Sequence, residues 1–289
     1  MGVALVLPGF GEFIEKYHET VADLLQRGFA VHVMEWFGQG LSTRALANRD
    51  KVHVADFARH VVDLAKLVET VLPPRDFADG RLLLGHSMGG HLALRYLQQH
   101  PRSFDAAILC SPMIDINYGW MPRWLARGIT ATACGLGFAR NYDPARVHFA
   151  ANPLTTDRTR FFEPHSWIVR NSELAIGGPT FGFLRAAQRS IAATEQRDFV
   201  RELLLPVLVL ASEHDRVVSL AASLQLARRL PNATYVGFAD ARHELLRENE
   251  TVRALVWQQI DDFLELEEEV NEPSPDARPD LRQGRAARG

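Results

Sequence analysis

A serine in a glycine-rich segment, followed downstream by an acid and a histidine, could carry out nucleophilic catalysis in this chain. Residues 85–89 read GHSMG and match the G-x-S-x-G pattern, with Ser87 at the centre. Residues 81–84 before it predict a buried strand, and residues 91–99 after it predict a helix. Ser87 would then occupy a strained strand-to-helix turn that directs its hydroxyl out of the sheet. The alternative is a glycine-rich turn that merely contains a serine.

A serine hydroxyl becomes a strong nucleophile when a base removes its proton, and an acid usually orients that base. The chain order expected for this turn is serine, acid, histidine. Asp215 follows the strand predicted for residues 206–211, and His243 lies in the loop after the strand predicted for residues 234–238. We therefore predict that Asp215 orients His243 and that His243 acts as the general base.

Two neighbouring residues are alternatives for these roles. Glu213 could replace Asp215 as the acid, and His214 could replace His243 as the base. Each of the four could also be an ordinary solvated loop residue. Three further histidines lie too near Ser87 in the chain to return to it: His86, His91 and His100.

Acyl transfer also requires two backbone donors for the oxyanion that forms on the substrate. The N–H of Met88, directly after the nucleophile, is expected to be one. The second should come from the loop after the first strand, where Phe10 has a glycine on each side in the segment PGFG. Glycine lets the backbone approach a ligand closely. An ordinary Gly/Pro turn is the alternative for this loop.

Strands and helices alternate through most of the chain, and the predicted strands are unbroken apolar runs. This pattern is typical of a mostly parallel sheet covered by helices on both faces. Together with the G-x-S-x-G turn and the order serine, acid, histidine, it predicts an α/β-hydrolase fold. The alternation fails between Pro112 and about residue 202, so we predict an inserted, mainly helical cap. The predicted units are the core at 1–112 and 203–268, the cap at 113–202, and a disordered, Pro-rich tail at 269–289.

The predicted cap has short helical pieces, no convincing strand, and a cluster of large apolar residues that could set the substrate. The cluster could line an acyl pocket or form an interfacial face, but packing of the cap onto the core is the preferred interpretation. Residues 177–180 predict a turn where the cap returns to the core. The candidate substrate-binding residues are Trp120, Trp124, Leu125 and Phe138, with Arg123, Arg127 and Arg140 nearby.

Composition limits the partners and the compartment. The chain has 289 residues and a net charge of −3, which gives no reason to expect nucleic acid. No spacing of histidines and acids resembles a metal site, and no phosphate-binding loop is present, so we expect no cofactor. Two cysteines do not make a disulfide framework. The N-terminus is a poor signal peptide, so we expect a cytoplasmic protein, with peripheral contact at the inner membrane face through the cap as an option.

The chain resembles the lysophospholipase L2 and monoacylglycerol lipase branch of the α/β hydrolases. The similarity runs from about residue 5 to about residue 265, and its matching segments are PGFGEFIEKYHETVADLLQRGFAVHVMEWFGQGLSTR, LLLGHSMGGHLALRYL, ILCSPMIDI, GGPTFGFLRAAQRS, VLVLASEHDRVV and ARHELLREN. The resemblance implies hydrolysis of carboxylic esters, on monoacyl lipids or small acyl esters, without a metal. It assigns Ser87, Asp215 and His243 to the catalytic triad and Phe10 and Met88 to the oxyanion hole.

The chain departs from that family at two points. Glu35 stands where the family usually has Asp, and the expected effect is local. The family usually has a strand pair before the oxyanion strand, whereas this chain starts almost on that strand, so a shortened sheet or a misassigned start is expected. Three other functions stay open: a short-chain carboxylesterase, an acyltransferase that uses the same acyl-enzyme, and a non-catalytic binding member of the fold.

Overall fold

The central sheet is built from short, fully apolar strands. The computed structural model describes residues 2–75, 80–142, 151–196 and 199–271, with no side-chain description for 265–271. The strands of this sheet are β1 (Val3–Leu7), β2 (Ala30–Val33), β4 (Arg81–His86), β5 (Ala106–Cys110), β7 (Val207–Ser212) and β8 (Ala233–Phe238). Within those described ranges the sheet has the order β2-β1-β4-β5-β7-β8, and every pairing in it is parallel.

Burial on both faces explains why the inner strands contain no alternation of polar and apolar residues. Every residue of β1, β5 and β7 is buried, whereas the edge strand β2 is only partly buried throughout. Helices cover the sheet because parallel strands need crossover connections. They are α1 (His18–Gln26), α2 (Ala58–Thr70), α3 (Met88–Gln99), α7 (Leu220–Arg229) and α8 (Glu250–Asn271).

The chain between β5 and β7 leaves the sheet and forms the inserted helical cap. Its helices are α4 (Arg123–Gly135), α5 (Arg158–Arg170) and α6 (Phe181–Thr194). These helices have 13, 13 and 14 residues, so the expectation of short helical pieces was wrong. Gly128 within α4 and Pro164 within α5 interrupt the sequence pattern without ending the helices.

The segment 177–180 is not a simple turn. Gly178–Pro179 forms the short strand β6, which pairs in parallel with β3 (Lys51–Val52). Thr180 then caps α6, because its hydroxyl accepts a hydrogen bond from the N–H of Phe183. The cap therefore returns to the core through a strand pair and a capped helix, and the prediction of a turn without a strand was wrong here.

Two further sequence expectations concern the cysteines and the tail. Both cysteines are free thiols. Cys110 is buried in β5, and burial raises the pKa of its thiol to about 12. The helix α8 ends at Asn271. The disordered tail predicted for 269–289 therefore starts too early, because 269–271 belong to this helix, and its other residues, 272–289, lie outside the described residues.

Candidate active site

Ser87 occupies the turn between β4 and α3 in a backbone conformation that few non-glycine residues adopt. Its φ is 50° and its ψ is −115°. The turn brings backbone segments close together, so a Cβ on Gly85 would lie 2.8 Å from Gly90, and a Cβ on Gly89 would lie 2.0 Å from the carbonyl oxygen of Leu7. Glycine at these positions is therefore a steric requirement of the turn, as the G-x-S-x-G pattern predicts.

The imidazole of His243 lies between Ser87 and Asp215. Its Nε2 is 2.9 Å from Ser87 Oγ, and its Nδ1 is 2.7 Å from Asp215 Oδ2. Asp215 follows β7 and His243 follows β8, and these adjacent parallel strands end at the same edge of the sheet as β4. His243 is 3% exposed and Ser87 is 6% exposed, so water screens these contacts little.

Asp215 is held as a carboxylate by several donors. Burial disfavours its charge, but the hydrogen bond and the charge of His243 outweigh burial, and the pKa of Asp215 is lowered from its usual value. Its second oxygen accepts hydrogen bonds from the N–H groups of Val217 and Val218, at 2.7 and 2.9 Å. An ionised, rigidly held carboxylate is suited to fix the tautomer and orientation of the His243 ring.

The alternative acid and base have other contacts. A carboxylate oxygen of Glu213 lies 3.0 Å from the position that a Cβ on Gly237 would take, beside β8. His214 donates its backbone N–H to Ser212 Oγ at 3.2 Å. In the described part of the chain neither side chain forms a hydrogen bond with Ser87. The described part of the chain also contains no group of three His, Cys, Asp or Glu side chains arranged to hold a metal ion.

The two predicted oxyanion donors lie past the ends of neighbouring strands. Met88 is the first residue of α3 and follows Ser87 directly. Phe10 lies in the loop after β1, which pairs with β4 as far as Leu7↔Gly85. Phe10 and Met88 therefore lie at the same edge of the sheet as Ser87.

The predicted substrate residues of the cap divide into two groups. Leu125 and Phe138 line an apolar cavity of about 650 Å³ that is largely open to solvent, together with other residues of α4 and with Phe181. Trp120 and Trp124 do not line this cavity and are 88% and 73% exposed. The preferred interpretation, packing of the cluster onto the core, was therefore wrong for both tryptophans, because their side chains face solvent.

The basic residues near this cluster are mostly neutralised by acids. Arg123 forms ion pairs with Asp115 and Glu195. Arg127 pairs with Glu195 at 3.6 Å. Arg123 and Arg127 therefore hold α4 against the end of α6, and acids of the protein already neutralise the charges that a ligand would need.

Several polar residues around the site were not identified from sequence. Glu12, Lys16, His86 and Glu244 form a buried cluster beside His243, and the rings of His86 and His243 have centroids 4.9 Å apart. The signal in the sequence was weak: Glu12 follows the PGFG segment and Glu244 follows His243.

Comparison with known proteins identifies the family. Residues 1–250 match the family described as "Serine aminopeptidase, S33". The chain belongs to this family. Among its relatives, lysophospholipase L2 of Escherichia coli K12 is 32% identical over 275 residues, which cover 90% of this chain and 79% of the relative. A probable lysophospholipase L2 of Haemophilus influenzae is 27% identical over 270 residues, covering 91% and 83% of the two chains.

Solved structures of other hydrolases share the fold of this S33 member. A soluble variant of the Saccharomyces cerevisiae monoglyceride lipase superposes with a TM-score of 0.74 at 18% identity, covering 92% of this chain and 88% of that one. The monoacylglycerol lipase of Paleococcus ferrophilus gives 0.68 at 18% identity, with 91% and 94% covered. The predicted α/β-hydrolase fold, with a mostly parallel sheet and an inserted helical cap, is confirmed.

Proposed function

We propose that this protein hydrolyses carboxylic esters of monoacyl lipids, as a lysophospholipase or a monoacylglycerol lipase, through an acyl-enzyme on Ser87. The contact of His243 Nε2 with Ser87 Oγ at 2.9 Å carries the proposal, because it provides an activated serine. Membership of the S33 family and the similarity to lysophospholipase L2 support the choice of substrate class.

The reaction follows from the positions of the groups. Ser87 Oγ attacks the ester carbonyl while its proton moves to His243 Nε2, and the carbonyl oxygen becomes an oxyanion held by the N–H groups of Phe10 and Met88. His243 then gives that proton to the leaving alcohol as the ester bond breaks. A water molecule then attacks the acyl-enzyme while His243 takes one of its protons, and His243 returns that proton to Ser87 Oγ as the acyl–enzyme bond breaks and the fatty acid leaves. Asp215 keeps the imidazole oriented throughout.

The cavity in the cap is the proposed acyl site. Phe181 and Phe183 both belong to the first turn of α6; Phe181 lines the cavity, and the Phe183 ring lies 4.8 Å from that of Phe10. One short segment thus connects the apolar cavity to the oxyanion loop. We propose 113–202 as the cap that determines acyl-chain preference and 1–112 with 203–268 as the catalytic core.

A substrate panel tests the proposed function. Wild type and Ser87→Ala are assayed by release of fatty acid from lysophosphatidylcholine, monoacylglycerol and p-nitrophenyl acetate. We expect wild type to prefer the long-chain monoacyl lipids and Ser87→Ala to lose activity on all of them. Ser103→Ala is the matched control. Ser103 follows α3, and its hydroxyl accepts a hydrogen bond from the hydroxyl of Tyr96, away from the site.

Other results of the same panel would identify the alternatives. Preference for the acetate ester would indicate a short-chain carboxylesterase. Acyl-glycerol that forms when glycerol is added would indicate an acyltransferase. Substrate turnover in Ser87→Ala equal to wild type would contradict the proposal.

We also propose that the cap contacts a lipid surface through Trp120 and Trp124. Both are large, amphipathic side chains with high exposure, which suits the boundary between water and lipid. No helix in the described residues is long and apolar enough to cross a membrane. Co-sedimentation with phosphatidylglycerol vesicles should fall when both tryptophans are changed to Ser and should persist in Leu204→Ser, a change at another exposed apolar residue. Equal binding by all three proteins would contradict this contact.

The compartment stays a prediction. A cytoplasmic protein with peripheral contact at the inner membrane face is expected from the sequence. Cell fractionation that finds the protein outside the cytoplasm and inner membrane would contradict it.

A further inference from the structure

The loop that holds Phe10 is fixed on both sides of that residue by side chains, one from Glu12 in the same segment and one from Gln39 in a distant part of the chain. The N–H of Gly9 donates a hydrogen bond to the carboxylate of Glu12. The N–H of Gly11 donates to the side-chain oxygen of Gln39. These two backbone donors flank the N–H of Phe10, so their hydrogen bonds determine how the peptide between them is oriented.

Two more contacts hold the same loop. The indole N–H of Trp36 donates to the carbonyl oxygen of Pro8 at 2.7 Å. The Phe10 ring packs against Phe183 of the cap. Trp36 and Gln39 both belong to the segment after β2, so that segment supplies two of the anchors. The loop is therefore held in one arrangement before any substrate binds.

The N–H of Phe10 differs from its two neighbours. Across the described ranges, no hydrogen bond joins it to another group of the protein, whereas the N–H groups of Gly9 and Gly11 are both bonded. We infer that Glu12 and Gln39 are positioning residues, which engage the donors on either side and leave the Phe10 N–H directed at the substrate oxyanion. This inference rests on the proposed acyl-transfer site.

Glu12 is also connected to the loop that carries the catalytic base. Its carboxylate pairs with Lys16 at 2.6 Å, and Lys16 pairs with Glu244 at 2.7 Å. Glu244 directly follows His243. One buried chain of ion pairs therefore joins the oxyanion loop to the base loop and fixes the two relative to each other.

The charge state of Glu12 suits this task. Burial alone would raise its pKa, but Lys16 and His86 hold the pKa well below its usual value. Tyr17 donates its hydroxyl to the same carboxylate. An ionised acceptor makes a stronger hydrogen bond to a backbone N–H than a neutral one does. The carboxylate of Glu12 therefore holds the N–H of Gly9 more firmly than a protonated carboxyl group would.

The cluster has no room for a ligand of its own. The space that Glu12, Tyr17, His86 and Glu244 help to line is about 10 Å³, near the minimum for one water molecule. Gln39 is fully buried. These side chains therefore act on the reaction through the backbone that they hold and do not contact the substrate.

The test compares Gln39→Met and Glu12→Gln with wild type, using monoacylglycerol hydrolysis and inhibition by a trifluoromethyl ketone analogue of the substrate. The ketone forms a tetrahedral adduct on Ser87, so its inhibition constant reports on the oxyanion hole. We expect kcat to fall about tenfold, less than complete loss of a donor would cause, and KM to change less than about twofold. The inhibition constant should rise by the same factor as kcat falls.

Controls separate this inference from stability and from the proposed function. Glu19→Gln removes another ion-paired carboxylate, which bonds to Arg160, and should leave all three constants unchanged. If Glu12→Gln fails to fold, the result for Gln39→Met alone tests the inference, because this change removes no charge from the ion-pair cluster. A folded Gln39→Met with wild-type kcat and inhibition constant would overturn the inference. Hydrolysis that persists in Ser87→Ala would instead overturn the proposed function.

Discussion

Asp215 accepts a hydrogen bond from His243 at 2.7 Å through one carboxylate oxygen and two backbone N–H groups through the other. The carboxylate can therefore rotate little, and the imidazole it contacts is held with Nε2 toward Ser87. Asp215 therefore has two roles on two different atoms. Oδ2 accepts from His243, and Oδ1 holds the loop after β7 through the two backbone N–H groups.

Asp215→Asn should keep the loop but impair catalysis. The amide oxygen can still accept the backbone hydrogen bonds, while the amide nitrogen opposite His243 favours the wrong tautomer. We expect kcat to fall by about 10³- to 10⁴-fold, as in other triads. Steady-state kinetics check this, with Glu213→Gln as the control in the same loop. A larger loss in Glu213→Gln than in Asp215→Asn would show that the acid is misassigned.

Gly89→Ala adds a single methyl group but should strongly lower the free energy of unfolding. The added Cβ would lie 2.0 Å from the carbonyl oxygen of Leu7, which is backbone and cannot rotate away. We expect a loss of more than about 3 kcal/mol in the free energy of unfolding, or no folded protein.

Urea denaturation measures this effect, and Gly128→Ala is its control. Gly128 is inside α4, and apart from its two neighbours and the nearby backbone of that helix no atom lies within 4 Å of the position of its Cβ. That change should stabilise the protein by roughly 0.5–1 kcal/mol, because alanine favours helix. A folded Gly89→Ala with the midpoint of wild type would refute the close approach of α3 to β1.

Acid should unfold this protein through its buried carboxylates. The pKa values of Glu12 and Glu244 lie below their usual 4.5, and that of Asp215 lies below its usual 3.8, in each case because nearby cations and donors outweigh burial. Between the folded and unfolded pKa values the unfolded chain binds more protons, so stability is present above the unfolded pKa and falls as pH decreases.

Burial also lowers the pKa of His60 to about 4 and that of His91 to about 3, from the usual 6.5, so the unfolded chain takes up protons at both before the folded chain does. The free energy of unfolding, measured by urea titration from pH 7 to pH 3, should therefore begin to decrease below about pH 6.5 and decrease more steeply below about pH 4.5, where the carboxylates contribute. Asp215→Asn removes one such carboxylate, and its slope below pH 4 should be smaller by at most about 1.4 kcal/mol per pH unit. An equal or steeper slope in that variant would contradict the lowered pKa of Asp215.

The fold and the three reacting residues could be predicted because strand order fixes geometry. In a parallel sheet the carboxyl ends of β4, β7 and β8 meet at one edge, so Ser87, Asp215 and His243 converge although 156 residues separate Ser87 from His243. Their proximity follows from secondary structure and chain order alone.

Other features depend on tertiary packing and could not be predicted in this way. The apolar pattern of α4 does not reveal whether Trp124 faces the core or solvent, and the structure places it in solvent. Likewise, the contacts of Gln39 with Gly11 and of Lys16 with Glu244 join loops that are distant in sequence. No local propensity encodes such hydrogen bonds.

Mass spectrometry of the protein after reaction with a fluorophosphonate tests the central claim most directly. The folded wild type should gain one phosphonyl group, on the peptide that contains Ser87, and hydrolysis should be lost in proportion to labelling. Ser87→Ala should gain none. Label on a different serine, or active folded protein that stays unlabelled, would contradict the assignment of Ser87 as the nucleophile.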